Sequence, residues 1–210
     1  MKTTRSALAA FLATLSFKSV IAVPNVTVVP LGSQNCVQWP GWIPTPAADT
    51  TGSLQFQVYQ SDDVGIEGLY SNFPSYDSSN VSSVKIDIDL RKSLRIAKSY
   101  YRCNNGVMQL GYADQPAVSI AKDKNNALLT FGLGYKLEPY AHYVDGVQQP
   151  GVFLGALNQT TWGFNYLVPS TCGQIPYYQA ALQGLPVDPN TEPTAGYIPE
   201  FFGFIQAVQF

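Results

Sequence analysis

The chain of 210 residues contains one histidine, His142. A site built on two imidazoles is therefore excluded, which removes most cupin-type metal centres and copper sites that use an N-terminal histidine. A Ser-His-Asp hydrolase would have to use His142. No Gly-x-Ser-x-Gly elbow is present, however, and Tyr140-Ala141-His142-Tyr143 reads as an ordinary strand or loop edge. Charge is also scarce, at 12% of residues, with a net charge of −2. With no basic cluster longer than Arg91-Lys92, the chain is poorly suited to nucleic acid or to an anionic membrane surface. The three cysteines, Cys36, Cys103 and Cys172, lie too far apart for a zinc knuckle, so neither a metal nor a cofactor is expected. Beyond the first 22 residues no apolar stretch is long enough to cross a bilayer.

Those first residues set the compartment. Lys2 and Arg5 open a basic start, Ala7 to Phe17 are largely apolar, and Val20-Ile21-Ala22 provides compact residues before Val23. The order fits a secretory signal peptide over residues 1–22, with a single mature domain over 23–210. The sequons at Asn25, Asn80 and Asn158 agree with secretion, and each would place its asparagine on the surface. In an oxidising compartment two of the three cysteines should pair. Cys103 with Cys172 is favoured, because both end strong strand patterns, while Cys36 would stay free or link molecules. The odd count leaves the other pairings open.

Alternation with a period of two dominates the chain. Val84, Ile86, Ile88 and Leu90 alternate with Lys85, Asp87, Asp89 and Arg91, as a half-buried strand requires. Leu54, Phe56 and Val58 repeat the pattern. Asn104-Asn105-Gly106 and Asp145-Gly146 mark tight hairpins, and Lys122 to Asn126 a longer one. Further strands are expected at 26–29, 162–168, 177–182 and 202–208, the third with a short helix as its alternative. The 15 prolines and 17 glycines punctuate the chain, and no capped 3.6-residue stripe appears. The expected fold is all-β: a single-domain antiparallel sandwich or barrel. It would carry a loop-rich leader over 23–50 and a proline-rich loop over 185–199.

Two sets of residues offer chemistry. Asp87 and Asp89, at i and i+2 on one strand, have the spacing a sandwich-type glycosidase would use for its acid and its ionised partner. The solvent face of any half-buried strand produces the same spacing, and Lys85 and Arg91 flank it, so no catalytic residue is assigned. Glu67, Glu138 and Glu200 stand singly. Trp39 and Trp42, held in a Pro-Gly segment, are the leading candidates for stacking on sugar rings. Tyr177-Tyr178 and Tyr140 with Tyr143 are lesser ones.

A resemblance adds to this reading. Val118-Ser119-Ile120, Asp123, Ala127-Leu128, Gly163-Phe164, Cys172, Pro176 and Tyr178-Gln179-Ala180-Ala181-Leu182 follow an order that resembles fungal secreted cell-wall proteins of the phialide or IgE-binding type. It covers about a third of the chain, and the odd cysteine count departs from the even set of that family. The resemblance implies a small extracellular β-protein of the cell wall without catalysis. The expectation is thus a secreted, N-glycosylated wall or surface protein with cell-wall polysaccharide as its candidate partner. The alternatives are a carbohydrate-binding module using Trp39 and Trp42, or a β-sandwich glycoside hydrolase.

Overall fold

The computed structural model describes residues 22–45, 48–72, 85–87, 100–111, 117–122, 127–131, 134–168, 176–186 and 198–209. Residues 1–21 of the expected signal peptide, Asn80, Asp89 and Cys172 lie outside them. Seventeen strands and no helix are found among the described residues. The first six are β1 (Thr27–Pro30), β2 (Trp42–Thr45), β3 (Ala48–Thr51), β4 (Leu54–Tyr59), β5 (Ser71–Asn72) and β6 (Lys85–Asp87). β7 (Tyr101–Asn104), β8 (Val107–Leu110), β9 (Val118–Ile120), β10 (Leu129–Phe131) and β11 (Tyr135–Lys136) follow. The last six are β12 (Glu138–Val144), β13 (Val147–Gln148), β14 (Val152–Gly155), β15 (Trp162–Leu167), β16 (Tyr177–Leu182) and β17 (Phe201–Gln209). The all-β antiparallel expectation holds, and 177–182 is a strand.

A 14-stranded sheet has the path β2-β3-β7-β4-β17-β15-β16-β6-β5, with β1, β12, β13 and β14 joined to one side of β17 and β8 joined to β7. The smaller sheet is β10-β9-β11. Among the described residues the strand path ends at β2 and β5, with only an isolated bridge from Gln57 of β4 to Tyr70 beside β5, so the barrel alternative is corrected to an open sheet. The leader is corrected too. Residues 23–50 contain β1, β2 and most of β3, with β2 and β3 paired from Trp42 opposite Thr51 to Thr45 opposite Ala48. Proline hid this hairpin from sequence reading, yet Pro44 costs little on β2, an edge strand. The hairpin signals were sound. Asn105 and Gly106 turn β7 into β8 with φ of 49° and 73°, and Asp145 and Gly146 turn β12 into β13 at 51° and 78°.

β17 organises the molecule. Its first three residues pair with β15, Phe201 lying opposite Phe164. From Phe204 to Gln209 it pairs with β4, and Gln206 and Ala207 also pair with Phe153 and Val152 of β14. Such a strand carries its two ends into differently oriented parts of the sheet. Its alternating side chains feed two cores. Ile205 and Ala207 join Leu54, Phe56, Val58, Trp162 and Phe164 in the main core. Phe204 joins Tyr140 and Phe153 in a small aromatic core on the other face. This is why β17 and β4 lack the clean alternation of a half-wet sheet: Gln55 is buried between Leu54 and Phe56.

The disulfide joins Cys36 to Cys103, and both residues are fully buried in the main core. The Cys103–Cys172 expectation is therefore corrected. Cys36 lies in a bend between β1 and β2, yet it is buried and held: its N–H donates to both carboxylate oxygens of Asp49 at 3.0 Å, and Gly106 N–H donates to its sulfur at 3.3 Å. Those contacts seat it beside the β7–β8 hairpin that carries Cys103, a proximity between distant segments that strand patterns do not reveal.

Candidate functional site

β15 carries Trp162, Phe164 and Tyr166 at alternate positions on one face of the sheet. The first two are sealed in the main core, while Tyr166 is 39% exposed, so the aromatic row runs out of the core into solvent. Tyr178 of β16 lies opposite Tyr166, with ring centroids 5.5 Å apart and planes tilted by 54°. Phe201, at the start of β17, meets the Tyr178 ring edge-on at 6.1 Å. Three rings from three strands thus form a ledge, half-buried at Tyr178 and Phe201 and open at Tyr166.

Two carboxylates border it. Burial raises the Tyr178 phenol above its ordinary value, and the negative charges of Asp63 and Glu200, with the Tyr166 phenol, raise it further. Asp63 arrives on a loop over 60–68 that is pinned at several points. Glu67 accepts the N–H groups of Gln60 and Ser61 at 3.1 and 2.8 Å, and Asp63 accepts that of Gly65 at 2.5 Å. Asp62 and Phe202 exchange two bonds: Phe202 N–H donates to the Asp62 carboxylate at 2.8 Å, and Asp62 N–H to the Phe202 carbonyl at 2.9 Å. Glu200 is placed by its own N–H, which donates to the Phe164 carbonyl at 2.8 Å. Flat rings with acceptors at the rim are the chemistry that holds a sugar: C–H faces on the rings, hydroxyls to the carboxylates.

The expected sugar-stacking pair is not assembled. Trp39 is 3% exposed and belongs to the main core, which leaves it no ring face for a ligand. Trp42 is 38% exposed on β2, the far edge of the strand path from β15 and β16. Of the lesser candidates, Tyr178 stands in the ledge. Tyr140 is buried, with its hydroxyl donating to Glu138 at 2.6 Å. Glu200, which stood singly in sequence, and Asp63, which no pattern singled out, come near enough to Tyr178 for their charges to act on it only because the chain returns there twice. The signal that could have found Tyr166 is its place two residues beyond Phe164 on a strand already recognised.

Asp87 lies in β6, opposite Tyr177 in register, and its intended partner Asp89 is outside the described residues. His142 is fully buried. Its ring stacks on Phe153 at 3.8 Å, meets the Phe204 ring edge-on at 4.4 Å, and places Nε2 at 2.8 Å from Thr160 Oγ1. Its Nδ1 has no hydrogen-bond partner among the described residues. Burial holds its pKa down at about 4. An imidazole so enclosed supports the fold and is out of reach of substrate. Asn25 and Asn158 are both exposed. No group of three or more potential metal ligands occurs among the described residues, and no helix there is long and apolar enough to span a membrane. No family model matches the chain, and neither does any curated protein.

Proposed function

We propose that this chain is a secreted, N-glycosylated fungal-type cell-wall or surface protein that works by contact and not by catalysis. The observation that carries the reading is the buried Cys36–Cys103 disulfide, a bond that persists in an oxidising compartment. Exposed acceptor asparagines at Asn25 and Asn158 support it. Mass mapping of protein from culture medium and wall extracts should find a chain beginning near Val23 with glycan on these residues. A cytosolic protein that retains Met1 and a reduced Cys36 would refute the reading.

The aromatic ledge favours a second reading, carbohydrate binding, through Tyr166, Tyr178 and Phe201 with Asp63 and Glu200. It moves the site from the tryptophans to β15, β16 and the start of β17. Binding to insoluble chitin and β-glucan tests it: Tyr166→Ala should lower retention at least about fivefold, the cost of one exposed stacking contact, and Trp42→Ala should not. Equal loss in both variants, or in neither, counts against the ledge. Release of reducing sugar that disappears in Asp63→Asn, Glu200→Gln protein would promote the glycosidase reading instead.

A further inference from the structure

The hairpin between β14 and β15 contains the third sequon, Asn158-Gln159-Thr160. It turns at Leu157 and Asn158, both left-handed with φ of 50° and 62°. Ala156 and Gln159 exchange two backbone bonds, at 3.0 and 2.9 Å, which closes a two-residue turn of the primed type. β12 clamps its tip. Leu157 N–H donates to Glu138 Oε2 at 3.3 Å, and Asn158 N–H donates to the Tyr140 hydroxyl at 3.0 Å.

The acceptor asparagine is exposed, but the hydroxyl two residues on is not. Thr160 is 2% exposed, and its Oγ1 is engaged with His142 Nε2. Its methyl packs so close to Gly155 that a Cβ there would stand 2.8 Å from it. A glycosyltransferase reads the asparagine and the threonine together, in open backbone with the hydroxyl available to it. In the folded hairpin those two requirements cannot be met without breaking the turn, the Tyr140 bond and the His142 bond at once. Asn25-Val26-Thr27 differs: Asn25 and Thr27 are both exposed, at the beginning of β1.

We propose that Asn158 accepts its glycan only before this hairpin closes, after which Thr160 Oγ1 passes from the transferase to His142. The inference rests on the glycoprotein reading above. In the transfer, Asn158 Nδ2 bonds to the anomeric carbon of a polyprenyl-pyrophosphate oligosaccharide. The bond from that carbon to the pyrophosphate oxygen breaks, the lipid pyrophosphate leaves with the electron pair, and the nitrogen gives up one proton. Folding then buries the recognition hydroxyl and leaves the sugar on the exposed tip. Occupancy at Asn158 is therefore set by a race between transfer and folding, whereas Asn25 stays open to both.

The test uses protein made without glycans and folded with its disulfide intact, beside fragments of it cut at glutamate. Each is incubated with purified oligosaccharyltransferase and a polyprenyl-pyrophosphate oligosaccharide, and the sites are mapped by mass spectrometry. Asn25 should be modified in both samples. Asn158 should be modified in the fragments and more than about tenfold more slowly in the folded protein, as a closed segment requires. Modification of folded Asn158 as fast as in the fragments overturns the inference and leaves the glycoprotein reading standing. Fragments modified at Asn25 but not at Asn158 also overturn the inference, and fragments left unmodified at both asparagines overturn the glycoprotein reading with it.

Discussion

Acidification should loosen this protein through its one histidine. His142 has an ordinary pKa of 6.5 in the unfolded chain and about 4 in the fold, where burial excludes the charged ring. Below pH 6.5 the unfolded chain takes up a proton that the folded chain refuses until about pH 4. The contribution is therefore complete above 6.5 and lost as the pH falls towards 4. The loss reaches about 2 kcal/mol at pH 5 and about 3 kcal/mol at pH 4. Carboxylates titrate in the same range, so the comparison needs a variant that lacks only this group. His142→Gln keeps an amide within reach of Thr160 and does not titrate. At pH 7 it should be less stable than the parent by about 1–2 kcal/mol, the value of the lost ring contacts with Phe153 and Phe204. Urea unfolding of both proteins from pH 7 to 4 should show the parent's advantage shrink and then reverse. The single imidazole also makes an NMR titration unambiguous. A parent–variant difference that stays constant with pH, or an imidazole that titrates near 6.5 in the folded protein, would refute the reasoning.

Other consequences are open to direct measurement. Replacing Cys36 and Cys103 by serine should cost about 4 kcal/mol, because the bond closes a loop of 67 residues; equilibrium unfolding measures it, and non-reducing peptide mapping should join these two and not Cys172. Gly155→Ala would put a Cβ 2.1 Å from the Gln159 carbonyl oxygen and should destabilise the fold by about 1–3 kcal/mol, seen as a lower midpoint in urea. Trp162→Phe removes a fully buried indole N–H that donates to the Leu154 carbonyl at 2.9 Å; the orphaned acceptor and the lost volume should together cost about 2–3 kcal/mol in the same assay.

Periodicity and turn chemistry, which are local, determined the all-β class from sequence alone. Leu54-x-Phe56-x-Val58 already carried the inward face of β4, and Asn105-Gly106 and Asp145-Gly146 carried their hairpins, because few residues tolerate positive φ. The proposed compartment rests on the same kind of local reading, a linear pattern at the N-terminus and the sequons. The open path of the sheet, the strand that serves two cores and the hairpin hidden by Pro44 were not legible, since edge position and neighbour choice follow from pairings between distant segments. The disulfide required Cys36 and Cys103, 67 positions apart, to meet beside Asp49 and Gly106. The tryptophans invited a reading by residue type, and only burial separated Trp39, inside the core, from Trp42 at the edge. The ledge needed Asp63, Tyr166, Tyr178 and Glu200 from four separate segments. What decided it was tertiary: a core aromatic row that reaches solvent at Tyr166, and two carboxylates brought near Tyr178 by the segment before β17 and the loop that Phe202 holds.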